Sequence, residues 1–542
     1  MNPASMAQVT SATNTRDTDH SCSTKGSPMY LTQGLHRATQ QNPDAAMTVY
    51  GERTRTNREV MDRVARLAGA LRGLGVAPGD RVAILSLNSD RYHEYLLAMP
   101  WADAVLNPVN IRWSAAEIAY SLEDSDSRVL LVDDAFAPLV PALRERFDGL
   151  TTVIHCGDGA TPDGMTSYEA LIAAAEPIAD ARRGGDALAG IFYTGGTTGF
   201  PKGVMLSHTN LMTSALGGVA TGYLMAPDAV FLHAAPMFHL ADLAGWLGVL
   251  IAGGTHVMIP AFDPVAVLNA VQQHRVTSSV LVPVMIQLLA DHPRAAEFDL
   301  GSVEYLMYGA SPISEAVLER AMRLFPRAGF TQAYGQTEAA PIITLLGPEE
   351  HRSGRLRSAG KAVPHSEIRI VDADGLDVPA GAVGEVVTRG GHIMLGYWNK
   401  PDETAAALRT GWLHTGDGGY LDADGYLHIV DRLKDMIVSG GENVYSAEVE
   451  NAIAAHPAVA AVAVIGIPDD EWGERVHAVI VCKPGHTVTP AEIRDHTKER
   501  IAAYKAPRSV DLVEALPVSG AGKILKRDLR EQYWGDKARM VN

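Results

Sequence analysis

The most constraining feature of the chain is a long alternation of short apolar runs with amphipathic stretches, beginning near Met29 and persisting to about Asp431. Asp62 to Leu74 (DRVARLAGALRGL) places its apolar residues at helical spacing, and Arg81 to Leu87 then reads as a buried strand. Tyr92 to Met99 reads as a helix, and Ala104 to Leu106 opens another short apolar stretch. The same order returns downstream. Phe231 to Ala235 precedes a helix over Asp242 to Ile251, Ser278 to Val282 leads into Met285 to Ala290, and Tyr305 to Tyr308 precedes Glu315 to Leu324. Strands separated by helices of this length predict an α/β fold with mostly parallel pairing.

After about Ser366 the texture changes. Glu367 to Val371, Glu385 to Thr388 and Tyr426 to Val430 alternate in the manner of half-buried strands and are divided by Asp-Gly and Gly-rich turns, which predicts a small antiparallel β subdomain. Beyond Asp431, about 100 residues carry a helix (Ala447 to Ala455), a strand pair (Val459 to Ile465 and His477 to Cys482) and a second helix (Pro490 to Ala503). A chain of 542 residues exceeds what one core supports, so we expect a large N-terminal domain over 29–431 and a small α+β C-terminal domain over 432–542. The charged DRLKDMI at Asp431 to Ile437, followed by SGGEN, is the expected hinge.

Composition excludes several functions. A net charge of −17 provides no basic surface for nucleic acid or anionic lipid. Cys22, Cys156 and Cys482 are too few and too scattered for a disulfide framework or a zinc site. No apolar run reaches the roughly 18 residues of a membrane span. Residues 1–28, rich in Ser, Thr and Asn, read as a disordered tail without the apolar core of a signal peptide, so a cytoplasmic location is expected.

Residues Tyr193 to Gly203 read YTGGTTGFPKG and follow the apolar stretch Ala187 to Phe192. Interleaved Gly and Thr expose many backbone N–H groups and hydroxyls, and Lys202 adds a cation, which is what polyphosphate requires. No Gly-Lys-[Ser/Thr] follows, so this is not the loop of P-loop kinases and ATPases.

The loop heads an ordered series: YTGGTTGFPKGVMLSH (Tyr193–His208), PMFH (Pro236–His239), YGASP (Tyr308–Pro312), AYGQTE (Ala333–Glu338), GWLHTGDGG (Gly411–Gly419), DRLKDMIVSGGENVY (Asp431–Tyr445) and SGAGKILKRDLR (Ser519–Arg530). In this series the chain resembles the adenylate-forming superfamily of acyl- and aryl-CoA synthetases, luciferases and nonribosomal adenylation domains, over about Met29 to Gln532. Among these it looks most like the fatty-acid and aryl-acid CoA ligases. One departure is Gly195, where many relatives carry Ser and gain one hydroxyl contact.

The resemblance implies an enzyme that joins a carboxylic acid to ATP as an acyl-adenylate, releasing pyrophosphate, and then transfers the acyl group to coenzyme A. Thr194, Gly195, Gly196, Thr197, Thr198, Gly199 and Lys202 would hold the phosphates. Gly309, Ala310 and Ser311 with Tyr334 and Gly335 would enclose the adenine. Asp417 would accept the ribose hydroxyls, with Arg432 beside it. Lys523 would bridge the substrate carboxylate and the α-phosphate, Thr337 would touch that phosphate, and Glu338 would hold Mg²⁺, a hard cation that takes oxygen ligands. Lys434 would be the pivot that removes Lys523 and brings in the SGGEN loop, with Gly440 and Gly441, for the thiol step.

The acyl pocket would be lined by His239, Ala241, Gly245, Gly335, Ala339, Ala340 and Ile342, small or apolar residues without a cation for a second carboxylate. A hydrophobic monocarboxylic acid follows, fatty or aromatic, with overall resemblance favouring the aliphatic; Asp242 is expected to cap the adjoining helix. The expected partners are the acid, ATP and CoA, with a homodimer possible. Other acceptors (a carrier protein, an amine) remain open, as does a non-catalytic nucleotide-binding protein, although Lys523, Glu338 and Asp417 are all present.

Overall fold

The computed structural model describes residues 28–194, 201–311, 313–432, 435–439, 442–469, 472–519 and 523–534. Their α/β architecture has a large N-terminal part built on three sheets and a C-terminal part built on a fourth, mostly antiparallel one.

The first α/β sheet has eight strands in the order Gly396–Tyr397, Lys202–Ser207, Leu188–Thr194, Val105–Pro108, Arg81–Leu85, Val129–Val132, Thr152–His155 and Thr166–Ser167. Its central strands are parallel, and Arg81–Leu85 is buried along nearly its whole length, as a strand covered by helices on both faces must be. The glycine-rich segment falls at an antiparallel hairpin: Leu188–Thr194 pairs with Lys202–Ser207, and Thr194 stands opposite Lys202. Ser207 then caps helix His208–Ala220 through a reciprocal pair with Asn210, which sets where the helix leaves the hairpin.

The second sheet has nine strands, with Val230–His233, Ser278–Leu281, Tyr305–Gly309 and Gly329–Tyr334 parallel and adjacent. Helices Asp90–Trp101, His208–Ala220 and Leu240–Ala252 supply residues to one large core cluster. Every residue of Asp90–Trp101 is buried. Leu240–Ala252 is apolar apart from Asp242 for the same reason, because a helix largely packed on all sides has little polar face to keep.

The third sheet is the antiparallel one expected after Ser366. Glu367–Val371, Gly384–Arg389, Trp412–Leu421 and Leu427–Arg432 pair in succession, and Glu367–Val371 has the bounds read from sequence. In the C-terminal part, strands Val459–Asp469 and Gly473–Cys482 form a long antiparallel pair, joined by Ile437–Ser439, Glu442–Val444 and the parallel Ser509–Leu512. The expected helix over Pro490 to Ala503 stops at Lys498, and a separate short turn at Ala503–Lys505 follows. Ile493 and Thr497 are the buried residues of that helix. A further helix, Lys526–Trp534, has Leu529 as its one buried residue.

Asp431 joins the last large-part strand to the first C-terminal helix, because its Oδ2 accepts both the N–H and the hydroxyl of Ser446 at 2.6 Å. Lys526 donates to Ser446 at 2.6 Å and pairs with Glu450 at 2.8 Å, tying the terminal helix to the same point. Lys526→Ala strands a largely buried carboxylate without its counter-charge, and the expected cost is about 3 kcal/mol. A urea midpoint unchanged from the parent protein would contradict this.

Candidate active site

In open α/β sheets ligands collect at the carboxyl ends of parallel strands, and the motif residues stand there. Tyr305–Gly309 ends at Gly309, Gly329–Tyr334 ends at Tyr334, and the segment after Val230–His233 leads into His239. Three groups of side chains converge.

The first centres on Asp417, which is 5% exposed. Tyr334 donates its hydroxyl to Asp417 Oδ2 at 2.8 Å, and Arg432 Nε lies 2.8 Å from Asp417 Oδ1. Asp417 and Arg432 are also register partners across adjacent strands. Burial and the Asp417 charge push the Tyr334 phenol well above its usual range, so it remains a donor. The Asp417 charge raises the Arg432 pKa against burial, with Tyr334, Glu338 and Asp435 adding to it. Each carboxylate oxygen has a second lone pair, so Asp417 can still accept from a diol.

The second group surrounds Glu338, on the short turn Thr337–Ala339. Tyr397 donates to Glu338 Oε1 at 2.8 Å, Met394 N–H donates to its backbone carbonyl at 2.9 Å, and Lys202 Nζ lies 5.3 Å from the Tyr397 ring centroid. Glu338 also acts on Arg432 electrostatically, so the two groups belong to one site. The Glu338 carboxylate is an oxygen donor of the kind Mg²⁺ takes, a cation held by few protein oxygens that completes its shell with phosphate and water, and the nearby Arg432 and Lys202 suit the phosphates rather than the metal. Among the described residues no cluster of three metal-ligating side chains occurs.

The third group draws on three distant stretches of the chain. His239 caps helix Leu240–Ala252, its Nδ1 accepting from Ala241 N–H at 3.3 Å. Burial, with the Lys523 charge added, pushes its pKa down to about 4. At neutral pH it is therefore an uncharged imidazole and no acid. Lys523 stands on a tight turn closed by Ser519 N–H to Lys523 O at 2.7 Å and Lys523 N–H to Ser519 Oγ at 3.1 Å. Arg112 reaches the same turn, donating to Ser519 O at 3.3 Å.

Backbone packing explains several motif residues. A β-carbon at Gly309 would overlap the Ala333 carbonyl oxygen, and one at Gly335 would overlap that of Pro341. Ala310 has φ +68°, a left-handed conformation that costs a non-glycine residue roughly 1–2 kcal/mol, and Ser311 follows it half-buried. Ala339 and Ala340 are buried, Gly245 packs on the Phe231 ring, and Ala241 is half-buried at the start of its helix. Thr194 ends its strand half-buried, and Thr337 opens its turn in the same half-buried state. Gly195, Gly196, Thr197, Thr198, Gly199, Lys434, Gly440 and Gly441 lie outside the described residues.

Sequence reasoning missed Tyr397 and Arg112, which no spacing links to Glu338 or Ser519. It also misplaced Asp242. His239 occupies the cap, and Asp242 is wholly buried with its Oδ2 2.7 Å from His233 Nδ1, which in turn contacts His256 at 3.0 Å. That carboxylate does not cap the helix.

The chain matches the description "AMP-binding enzyme" over residues 35–398 and "AMP-binding enzyme C-terminal domain" over 448–523. It belongs to the AMP-binding enzyme family. It is 41% identical over 499 residues to feruloyl-CoA synthase of Amycolatopsis sp, covering 92% of this chain and 98% of that one. It is 35% identical over 528 residues to the fatty acid–[acyl-carrier-protein] ligase ScoC of Streptomyces coeruleorubidus, covering 94% and 98%. The solved structure of the amide bond synthetase McbA from Marinactinospora thermotolerans superposes with a TM-score of 0.82 at 31% identity, covering 93% of this chain and all of that one.

Gly335→Ala forces the Tyr334 and Pro341 segments apart within the site, and a displacement of about 1 Å there lowers kcat/KM by on the order of 10²-fold. Gly73→Ala, where no atom lies within 4 Å, is the neutral control. Equal steady-state constants for the two variants would defeat the packing account.

Proposed function

We propose that the protein is an ATP-dependent acid–CoA ligase that activates a hydrophobic monocarboxylic acid, preferring an aryl acid to a fatty one. The observation that supports this reading is the convergence of Tyr334, Asp417 and Arg432, with Glu338 and Tyr397 nearby, at the carboxyl ends of the parallel strands in a chain of the AMP-binding enzyme family.

In the first step a carboxylate oxygen of the acid bonds to the α-phosphorus of ATP, and the bond from that phosphorus to the β-phosphate bridging oxygen breaks, releasing pyrophosphate. Two anions must meet, so the protein's contribution is positioning and charge neutralisation. Lys523 bridges the carboxylate and the α-phosphate. Lys202 and the glycine-rich hairpin hold the outer phosphates, and Thr337 contacts the α-phosphate. Asp417 takes the ribose hydroxyls while Tyr334 flanks the adenine. Glu338 would hold Mg²⁺, which supplies charge neutralisation on the phosphates when bound.

In the second step the CoA thiolate bonds to the acyl carbon, and the acyl carbon–oxygen bond to AMP breaks. Lys523 occupies the approach to that carbon, so the two steps require two placements of the C-terminal part. The pivot of this reading is Lys434, as the resemblance implies. Rotation there is of the hinge type.

The aryl preference is supported by the 41% identity to a feruloyl-CoA synthase and by uncharged pocket walls at Ala241, Ala339 and Ala340. ScoC and McbA differ by name in what receives the acyl group, which makes the acceptor the next quantity to measure. Pyrophosphate release across fatty, cinnamic and benzoic acids, with and without CoA, should peak with aryl acids and yield a CoA thioester by mass spectrometry. Release without any thioester would move the acceptor to an amine or a carrier protein. Lys434→Pro should spare pyrophosphate release in a single turnover and slow thioester formation; equal loss of both steps would refute the pivot.

A further inference from the structure

Helix Ala115–Asp124 ends on two acidic residues, Glu123 and Asp124, with no basic residue in its last turn. The carbonyl end of a helix is its negative pole, so local rules disfavour a carboxylate there. Glu123 is exposed and its charge is screened by solvent, whereas Asp124 is half-buried. A half-buried acid at the wrong end of a helix breaks a local rule, and such departures are compensated by contacts elsewhere.

The contacts of Asp124 come from the glycine-rich hairpin and from the segment that braces Glu338. Tyr193 donates its hydroxyl to Asp124 Oδ2 at 2.6 Å. Burial, with the Asp124 carboxylate adding to it, pushes that phenol far above its usual range, so it stays a donor. The backbone carbonyl of Asp124 accepts from Trp398 Nε1 at 2.8 Å and from Asn399 Nδ2 at 3.3 Å. Trp398 in turn donates its backbone N–H to Gly203 O at 2.8 Å, and Gly203 is the register partner of Tyr193 across the hairpin. A β-carbon at Gly203 would come 3.0 Å from Tyr193 Cζ, so the phenol ring lies against that backbone. Asp124, Tyr193, Gly203 and Trp398 therefore close a circuit of contacts drawn from one helix end, two hairpin strands and a fourth stretch.

Each arm of the circuit adjoins a group that the ligase reading gives to the nucleotide. Thr194 follows Tyr193, Lys202 precedes Gly203, and these two neighbours stand opposite each other. Tyr397 precedes Trp398; its hydroxyl donates to Glu338 Oε1 at 2.8 Å and its ring centroid lies 5.3 Å from Lys202 Nζ. Consecutive Cα atoms are held about 3.8 Å apart, so a shift at Tyr193, Gly203 or Trp398 is passed to its neighbour. We propose that Asp124 is a positioning residue for the triphosphate: through the Tyr193 hydroxyl and through Trp398 it keeps both hairpin strands and Tyr397 in one arrangement, and so sets Lys202 and Glu338 relative to each other. It touches neither ATP nor the acid. This rests on the ligase reading above and adds to it the residue that aligns its phosphate groups.

The test uses the full-length enzyme and compares the parent with Tyr193→Phe, Asp124→Ala, the two combined, and Asp124→Asn. Tyr193→Phe keeps the ring on Gly203 and removes one hydroxyl. Pyrophosphate release is followed with whichever of the fatty, cinnamic and benzoic acids the parent turns over. A misplacement of about 1 Å costs on the order of 10²-fold, so a loosened hairpin should lower kcat/KM for ATP by about tenfold while the KM for the acid stays within about twofold. The double variant should fall no further than the single ones, because both remove the same bond. Asp124→Asn keeps an oxygen for the Tyr193 hydroxyl and should recover most of the loss. A bond that serves stability alone would lower the melting temperature and leave both KM values where they were. That result in folded variants, equal shifts for ATP and acid, or a double variant that falls by the product of the single effects would each overturn the proposal. Calorimetric binding of ATP with Mg²⁺ gives the same comparison without turnover. A parent that binds ATP but releases no pyrophosphate with any acid would defeat the ligase reading, and a weaker ATP affinity in Tyr193→Phe would still uphold the role of Asp124.

Discussion

The carboxylate of Asp417 is where the large part of the molecule is joined. It lies on the antiparallel sheet, accepts from Tyr334 at the end of the nine-stranded sheet, and pairs with Arg432, the last described residue before the pivot. A nearly buried charge of this kind is tolerated only when its partners are fixed. Arg432 holds it within its own sheet, and Tyr334 ties that sheet to the nine-stranded one. The nucleotide site proposed here is the seam that results, with Glu338 coupled to the same Arg432 and braced by Tyr397.

A second regularity concerns imidazoles. Burial drives the pKa of His93 and His392 down to about 3 and that of His208 and His239 to about 4, with neighbouring charges of like sign adding to the effect at His93, His239 and His392. These histidines therefore act as neutral groups of the interior rather than as acids.

Much of this was legible in the amino-acid sequence because local rules and tertiary placement agree. Glu367–Val371 alternates cleanly between Asp-Gly turns, and its bounds could be read to the residue. Gly309 and Gly335 announce close backbone approaches that the structure then shows. What could not be read depends on distant pairings. Tyr397 sits on a two-residue strand, too short for any periodicity, and meets Glu338 across 59 residues. Asp242 has the look of a helix cap, but the imidazole of His233 nine residues earlier claims its carboxylate. The helix Lys526–Trp534 escaped notice because a single buried leucine in a charged run gives no apolar stripe.

The central claim is that one cation, Lys523, serves adenylation and must leave before the thiol arrives. The most direct measurement takes Lys523→Ala and follows the two half-reactions separately: pyrophosphate release from ATP and acid, and thioester formation from chemically supplied acyl-adenylate and CoA. Loss of a charge-stabilising donor of this kind slows its step by about 10²–10³-fold, so the account predicts that loss in the first assay and a rate within a few-fold of the parent in the second. An equal loss in both, or none in the first, would contradict it.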